Sequence, residues 1–277
     1  MLRIRVASAA VGLALLFVVM WAGQIVLGLA VFLLSVIALG EFYKALENVG
    51  YKPIKIIGFA ASLPVVFLSF EDFSINLGDL INIENMVFFI FLITVILFSL
   101  IVFWHNKYNI IDICVTFLGI IYTTFMFSFL LLIRNMDNGF FHVWLVFIAA
   151  FATDTFAYFS GRFFGKRKLL PAISPKKTLE GAIGGTLGCV LVTILYGVYL
   201  KSSHSINEVS LLNFAVIGLF CSIISQLGDW AASSIKRFAK IKDYGNLIPG
   251  HGGVLDRFDS ILFTAPLVYF YFKFMIF

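Results

Sequence analysis

Charge is scarce in this 277-residue chain: charged residues make up 13% and hydrophobic residues 61%, against roughly 25% and 45–50% in ordinary soluble domains. A core of this length could not hide 33 Phe together with long Leu, Ile and Val runs, so a protein whose main solvent is water is excluded. Cysteine is also rare. Cys114, Cys189 and Cys221 each lie alone in an apolar run, which excludes a disulfide framework and a thiolate metal site and leaves them as small packing residues. His105, His142 and His204 have no ligand neighbours at metal spacing. There is no internal repeat, low-complexity linker or separate soluble segment.

What the chain has is apolar runs. A helix crossing about 30 Å of hydrocarbon needs roughly 20 apolar residues, fewer where it is buried among others. On that basis about nine spans are expected, near 6–21, 25–46, 56–70, 86–104, 110–133, 140–160, 181–200, 211–228 and 259–274. The fold class is therefore all-α, a polytopic transmembrane helix bundle with a polar site facing the cytosol. One integral membrane domain, 1–277, is expected, with N-terminal spans over about 1–140 and a catalytic C-terminal part over about 141–277. Arg3 and Arg5 before an apolar stretch imitate a secretory signal, but the equally apolar runs that follow favour an uncleaved first span.

Basic residues orient the bundle, because cytoplasmic loops carry the excess of Lys and Arg. With the N-terminus inside, all of the 20 Lys and Arg except Arg134, Lys201 and Lys273 fall on the cytosolic side. An acidic loop, 71–84, then falls outside, which the rule tolerates. The longest connections, 162–180 and 231–257, face the cytosol. A net charge of +5 suits anionic headgroups of the bilayer; no nucleic-acid partner is expected.

Polar chemistry is concentrated at the C-terminal end. From Asp229 to Asp259 the chain gathers Asp229, Lys236, Arg237, Lys240, Lys242, Asp243, Asp256, Arg257 and Asp259 around the turn GNLIPGHGG. On a continuing helix Ser233, Lys236 and Lys240 share a face with Asp229; a solvated face and a reactive stripe both explain this. Gly250, Gly252, Gly253 and Pro249 break the helix and permit a turn whose N–H groups could face phosphate oxygens. Asp229 and Asp256, at two sequence-distant helix ends, suit a hard divalent cation that takes one or two carboxylates and leaves positions for substrate phosphates; mutual neutralisation by Lys and Arg is the plain alternative.

Two upstream segments join this set. Asp154 lies inside the sixth run, where an ionised group costs on the order of 2.5–3.5 kcal/mol on insertion scales; it either lines a site or pairs with a buried Lys or Arg. SPKKTLEG follows, with Ser174, a turn at Pro175, phosphate-seeking Lys176 and Lys177, and Thr178 placed to cap the seventh helix. The GxxxG spacings of Gly181, Gly185, Gly184 and Gly188 signal close helix packing.

Together these segments resemble the phosphatidate cytidylyltransferases, or CDP-diacylglycerol synthases. The resemblance rests on Ser233, Ile235, Lys236, Arg237, Lys242, Asp243, Gly245, Ile248, Pro249, His251, Gly252, Gly253, Val254, Asp256, Arg257, Phe258 and Asp259, with DTFAYFSGRFFG, SPKKTLEG and QLGDW as flanking elements. Trp230 stands where an aliphatic residue is more usual. The resemblance implies transfer of CMP from CTP to phosphatidic acid with loss of pyrophosphate, Mg²⁺ held by Asp229 and Asp256, and a second cation such as K⁺. It also implies Lys177, Lys236, Arg237 and Arg257 as phosphate ligands, with His251, Gly252 and Gly253 near the nucleotide. Ser174, Lys176 and Ser233 are further substrate-binding residues, and Asp154, Asp243 and Asp259 take supporting roles. A homodimer in the inner membrane is expected.

Two rivals are weighed. A CTP-dependent polyprenol kinase would pass the γ-phosphate to an alcohol, and the HGGVLDRFD ending argues against it. A transporter would cluster ionisable residues near mid-membrane, whereas here most lie towards one face.

Overall fold

A computed structural model describes residues 2–67, 83–203 and 209–276. The chain is helical nearly throughout. The first helices are α1 (Leu2–Trp21), α2 (Gln24–Glu47), α3 (Lys55–Ala60), α4 (Pro64–Phe67) and α5 (Ile83–Phe103). A continuous rod follows, made of α6 (Ile110–Gly119), a π-helical stretch (Ile120–Phe125) and α7 (Met126–Arg134). Then come α8 (Gly139–Phe164), a hairpin of β1 (Lys168–Leu170) and β2 (Ser174–Thr178), and α9 (Leu179–Ser202), α10 (Leu211–Phe238) and α11 (Leu255–Met275).

Five helical segments among the described residues are long and apolar enough to cross a membrane: Gln24–Glu47, Ile110–Arg134, Gly139–Phe164, Leu179–Ser202 and Leu211–Phe238. At 1.5 Å per residue even the shortest reaches about 36 Å, more than the hydrocarbon thickness. Their outer faces expose large apolar side chains such as Leu33, Leu187 and Phe220, as lipid contact requires. The protein is an integral membrane protein of the all-α class.

Several expectations change at the edges. The third span, expected over 56–70, is instead the two short helices α3 and α4. Pro64 opens the second of them, where its missing N–H costs nothing; residues 68–82, with most of the expected acidic loop, lie outside the described residues. The helix of the eighth span does not stop at 228 but runs on to Phe238, so Asp229, Ser233 and Lys236 lie on the continuing helix that their spacing allowed. The 162–180 connection holds a small antiparallel sheet, with Lys168 opposite Thr178 and Leu170 opposite Ser174; Pro175, expected in a turn, lies in a strand.

Contacts divide the chain into two compact units, 1–131 with 238–257, and 132–237 with 258–277. In the first, α2 is the central helix and buries Leu39, Phe42, Tyr43 and Leu46. The start of α6 is fixed by a reciprocal capping box: Asn109 accepts from the Asp112 amide at 2.9 Å, and Asp112 accepts from the Asn109 amide at 3.1 Å. Asp112 also accepts from the Lys52 amide at 2.7 Å, which satisfies this buried carboxylate.

In the second unit α8 and α9 pack along a seam of small residues. A Cβ on Gly185 would stand 2.9 Å from the Thr153 carbonyl, and one on Gly188 would enter the Phe156 ring. The close packing expected from the GxxxG spacings is present. α10 joins the same unit through Gln226, whose amide donates to the Ala182 carbonyl at 3.3 Å and to the Thr186 and Ser222 hydroxyls at 3.2 Å each. Further along, Gly228 lets α10 approach α11 so closely that a Cβ there would be 2.6 Å from the Asp259 carbonyl. These approaches bring the ends of α8, α9, α10 and α11 to one place.

Candidate active site

Thr178 organises the second unit's polar end. It is the residue before α9, and its hydroxyl accepts from the Gly181 amide at 3.2 Å, the cap expected from the sequence. Gly161, Gly165 and Gly181 all crowd against this side chain; a Cβ on Gly161 or Gly181 would be 3.0 Å from its hydroxyl oxygen. Glu180 fastens the hairpin by accepting from the Lys166 and Arg167 amides at 3.0 and 3.2 Å. The chain just before the cap, carrying Lys176 and Lys177, is thereby held at the mouth of the helix cluster.

There a cavity of about 370 Å³ is lined by Asp154, Arg162, Lys176, Lys177, Asp229 and Trp230 among others. The Lys177 ammonium forms an ion pair with Asp229 and lies 5.6 Å from the centre of the Trp230 ring, within cation–π range. Ser233, one turn on, donates to the other Asp229 oxygen at 3.4 Å, so the expected stripe is present there, but Lys240 falls beyond the helix end with φ of 54° and is not part of it. Asp259 lies in the electrostatic field of Asp229, Lys236 and Asp154. Asp154 is exposed, which favours its site-lining role over burial as a structural partner. Arg237 donates to the Ile173 carbonyl at 3.2 Å, and Ser174 begins the strand beside it.

The signature loop belongs to the first unit. Gly250 and Gly252 take φ of 76° and 89°, conformations that side-chain-bearing residues rarely adopt. Asp256 turns inward: one carboxylate oxygen accepts from the Tyr244 amide at 2.8 Å and the Gly253 amide at 3.0 Å. Asp243 lies beneath Gly252. His251 meets the Ser8 hydroxyl at 2.8 Å through Nδ1, and Arg257 donates to the His251 carbonyl at 2.8 Å.

Against the expectation that the glycine-rich turn aims its N–H groups at phosphate, five of the amides in and after it are engaged within the protein. The Ile248 amide donates to the Gly252 carbonyl and the His251 amide to the Ile248 carbonyl, both at 2.9 Å. Gly253 serves Asp256, while Val254 and Leu255 serve Glu41 at 3.0 and 2.8 Å. A turn this tight satisfies much of its own backbone first, and the amides of Gly250 and Gly252 are not among those engaged in this way. Glu41 was missed in the sequence, as were Tyr158 and Arg162 in the cavity wall; Glu41 had the signal already used for Asp154, a carboxylate inside an apolar run.

Among the described residues no three His, Cys, Asp or Glu side chains gather as a ready metal site. Asp154 and Asp229 nonetheless both line the cavity, Asp259 lies in their electrostatic field, and an ammonium already sits on Asp229. That donor set fits a hard divalent cation, which binds through one or two carboxylates and takes its other ligands from phosphate and water.

Apolar helices long enough to cross a membrane, with a cavity lined by cationic and carboxylate side chains, define an integral membrane protein with a polar site. The chain belongs to the cytidylyltransferase family, whose model matches residues 3–275. It is 31% identical over 268 residues to a phosphatidate cytidylyltransferase of Staphylococcus saprophyticus, covering 96% of this chain and 97% of that protein. Phosphatidate cytidylyltransferases of Thermotoga maritima and Bacillus subtilis are 42% and 44% identical over 156 and 155 residues, which span 57% and 55% of their lengths. The resemblance read from the C-terminal signature is borne out.

Proposed function

We propose that this chain transfers the cytidylyl group of CTP to phosphatidic acid, releasing pyrophosphate and leaving CDP-diacylglycerol in the bilayer. The observation that carries this reading is the convergence of Arg162, Lys176 and Lys177 on one cavity at the end of lipid-exposed helices, where the headgroup of an anionic lipid can meet a soluble nucleotide. The family and relatives supply the reaction class.

A phosphate monoester is already a nucleophile at neutral pH, so the reaction asks for positioning and charge neutralisation more than for a protein nucleophile. An oxygen of the lipid phosphate forms the new bond to the α-phosphorus of CTP as the bond to the β-phosphate oxygen breaks. Lys177 and Lys236 offset the charge that grows on the leaving pyrophosphate, and Lys176, Arg162 and Arg237 hold phosphate oxygens. The parts of His251, Gly252, Asp256 and Arg257 at the nucleotide rest on the signature.

Mg²⁺, held by Asp229 with Asp154 and Asp259 in support, would supply charge neutralisation at the phosphates; the share of Asp256 in holding it rests on the signature alone. A second cation such as K⁺, a homodimer, and a site facing the cytosol from the inner membrane complete the reading. The test is to incubate the purified, detergent-solubilised protein with CTP, Mg²⁺ and phosphatidic acid. Pyrophosphate and the liponucleotide should appear in equal amounts; release of CDP would indicate a kinase, and no turnover would leave a transporter to be considered.

A further inference from the structure

Glu41 is a carboxylate set among apolar neighbours in α2, in the half of the chain where the signature is absent. Its two oxygens accept from consecutive backbone amides, Val254 at 3.0 Å and Leu255 at 2.8 Å. These amides open α11, and the first N–H groups of a helix have no acceptor within it. The usual remedy is a Ser, Thr, Asp or Asn just before the helix, but here that residue is Val254, whose side chain accepts nothing. The cap comes instead from a residue more than 200 positions earlier.

Two signature glycines answer to the same carboxylate. A Cβ on Gly245 would lie 2.5 Å from a Glu41 oxygen, and one on Gly253 would overlap the carboxylate. Asp256, one residue beyond the Leu255 amide that Glu41 holds, binds the Tyr244 and Gly253 amides. Two carboxylates therefore fix the loop from opposite ends, Glu41 at its exit into the helix and Asp256 across its span. Without Glu41, the loop would keep Asp256 but lose the acceptor for the Val254 and Leu255 amides.

We propose that Glu41 is a positioning residue for the transfer reaction, acting through the loop and the first turn of α11 on Asp256, Arg257 and His251. The proposal rests on the cytidylyltransferase reading. A carboxylate on two amide donors is a charge-assisted arrangement, and its negative charge lies where the helix dipole favours it. Glutamine keeps the shape and one acceptor oxygen but loses the charge; alanine removes both.

The test uses the full-length protein in detergent with CTP, Mg²⁺ and phosphatidic acid. Loss of one or two charge-assisted bonds should lower kcat about 30-fold in Glu41→Ala and by a smaller factor in Glu41→Gln, with KM for phosphatidic acid unchanged and the unfolding midpoint lowered only modestly, so that the protein stays folded at the assay temperature. Gly253→Ala should lower kcat in the wild-type background yet add little in Glu41→Ala, where the collision is gone. Wild-type kcat in Glu41→Ala, a loss matched by loss of folded protein, or independent losses in the double variant would overturn the proposal. Hydrogen exchange at amides 253–255 should rise in Glu41→Ala, and unchanged exchange would also overturn it. This readout needs no turnover, so an inactive wild-type protein would count against the transferase reading and leave Glu41's hold on the loop separately measurable.

Discussion

The Lys177 ammonium is paired with the Asp229 carboxylate across the cavity where β2 runs into α9 and α10 passes by. Each keeps the other compensated at an apolar boundary where a lone charge is expensive. Removing one partner strands the other, so Lys177→Ala and Asp229→Asn should each lower kcat/KM by about 100-fold, and the double variant should lose far less than their product. Steady-state kinetics of the four proteins measures the coupling. Fully multiplicative losses would show that the two residues act separately.

Asp256→Asn should abolish most turnover while leaving a folded protein. The amide oxygen can still accept from Tyr244 or Gly253, but the charge is gone. A fall in kcat by a factor on the order of 100 or more is expected if Asp256 neutralises substrate charge or holds Mg²⁺, and the Mg²⁺ concentration for half-maximal activity should rise. Near wild-type rates with an unchanged Mg²⁺ requirement would remove Asp256 from the site.

The α8–α9 seam makes a prediction about stability. Gly188→Val drives a branched side chain into the Phe156 ring, and overpacking of this kind costs about 1–3 kcal/mol. Its unfolding midpoint in detergent should fall. Gly12→Val, where nothing lies within 4 Å of the added Cβ, is the matched control and should unfold like the parent.

Sidedness can be tested without substrate. Lys242→Cys, in a Cys114→Ser background, should react with a membrane-impermeant maleimide in inside-out vesicles and not in right-side-out ones. Lys242 is exposed, whereas the remaining Cys189 and Cys221 are buried, so the label reports the loop. The reverse pattern would invert the orientation drawn from the basic residues.

Much of this was legible in the chain because hydropathy and charge are strong signals in a membrane protein. The run 110–133 became a helix ending one residue later, and Thr178 became the cap its spacing announced. What was hidden depended on contacts between distant residues. Nothing local marks Glu41 as the acceptor for Val254 and Leu255, and Pro175 points to a turn unless its pairing strand is known. α10 continues past its apolar stretch on a polar face, as the spacing of Asp229, Ser233 and Lys236 allowed, but nothing in that spacing showed that the helix stops before Lys240.

Thr178 has one more consequence. Lys177, in β2, stands two residues before Leu179, the first residue of a 24-residue helix, and glycines on two helices grip the Thr178 side chain that starts it. The amine therefore takes its aim from a stiff rod rather than from a pliant connector, and a methyl group added at Gly161 or Gly181 could misdirect a charge that neither residue touches.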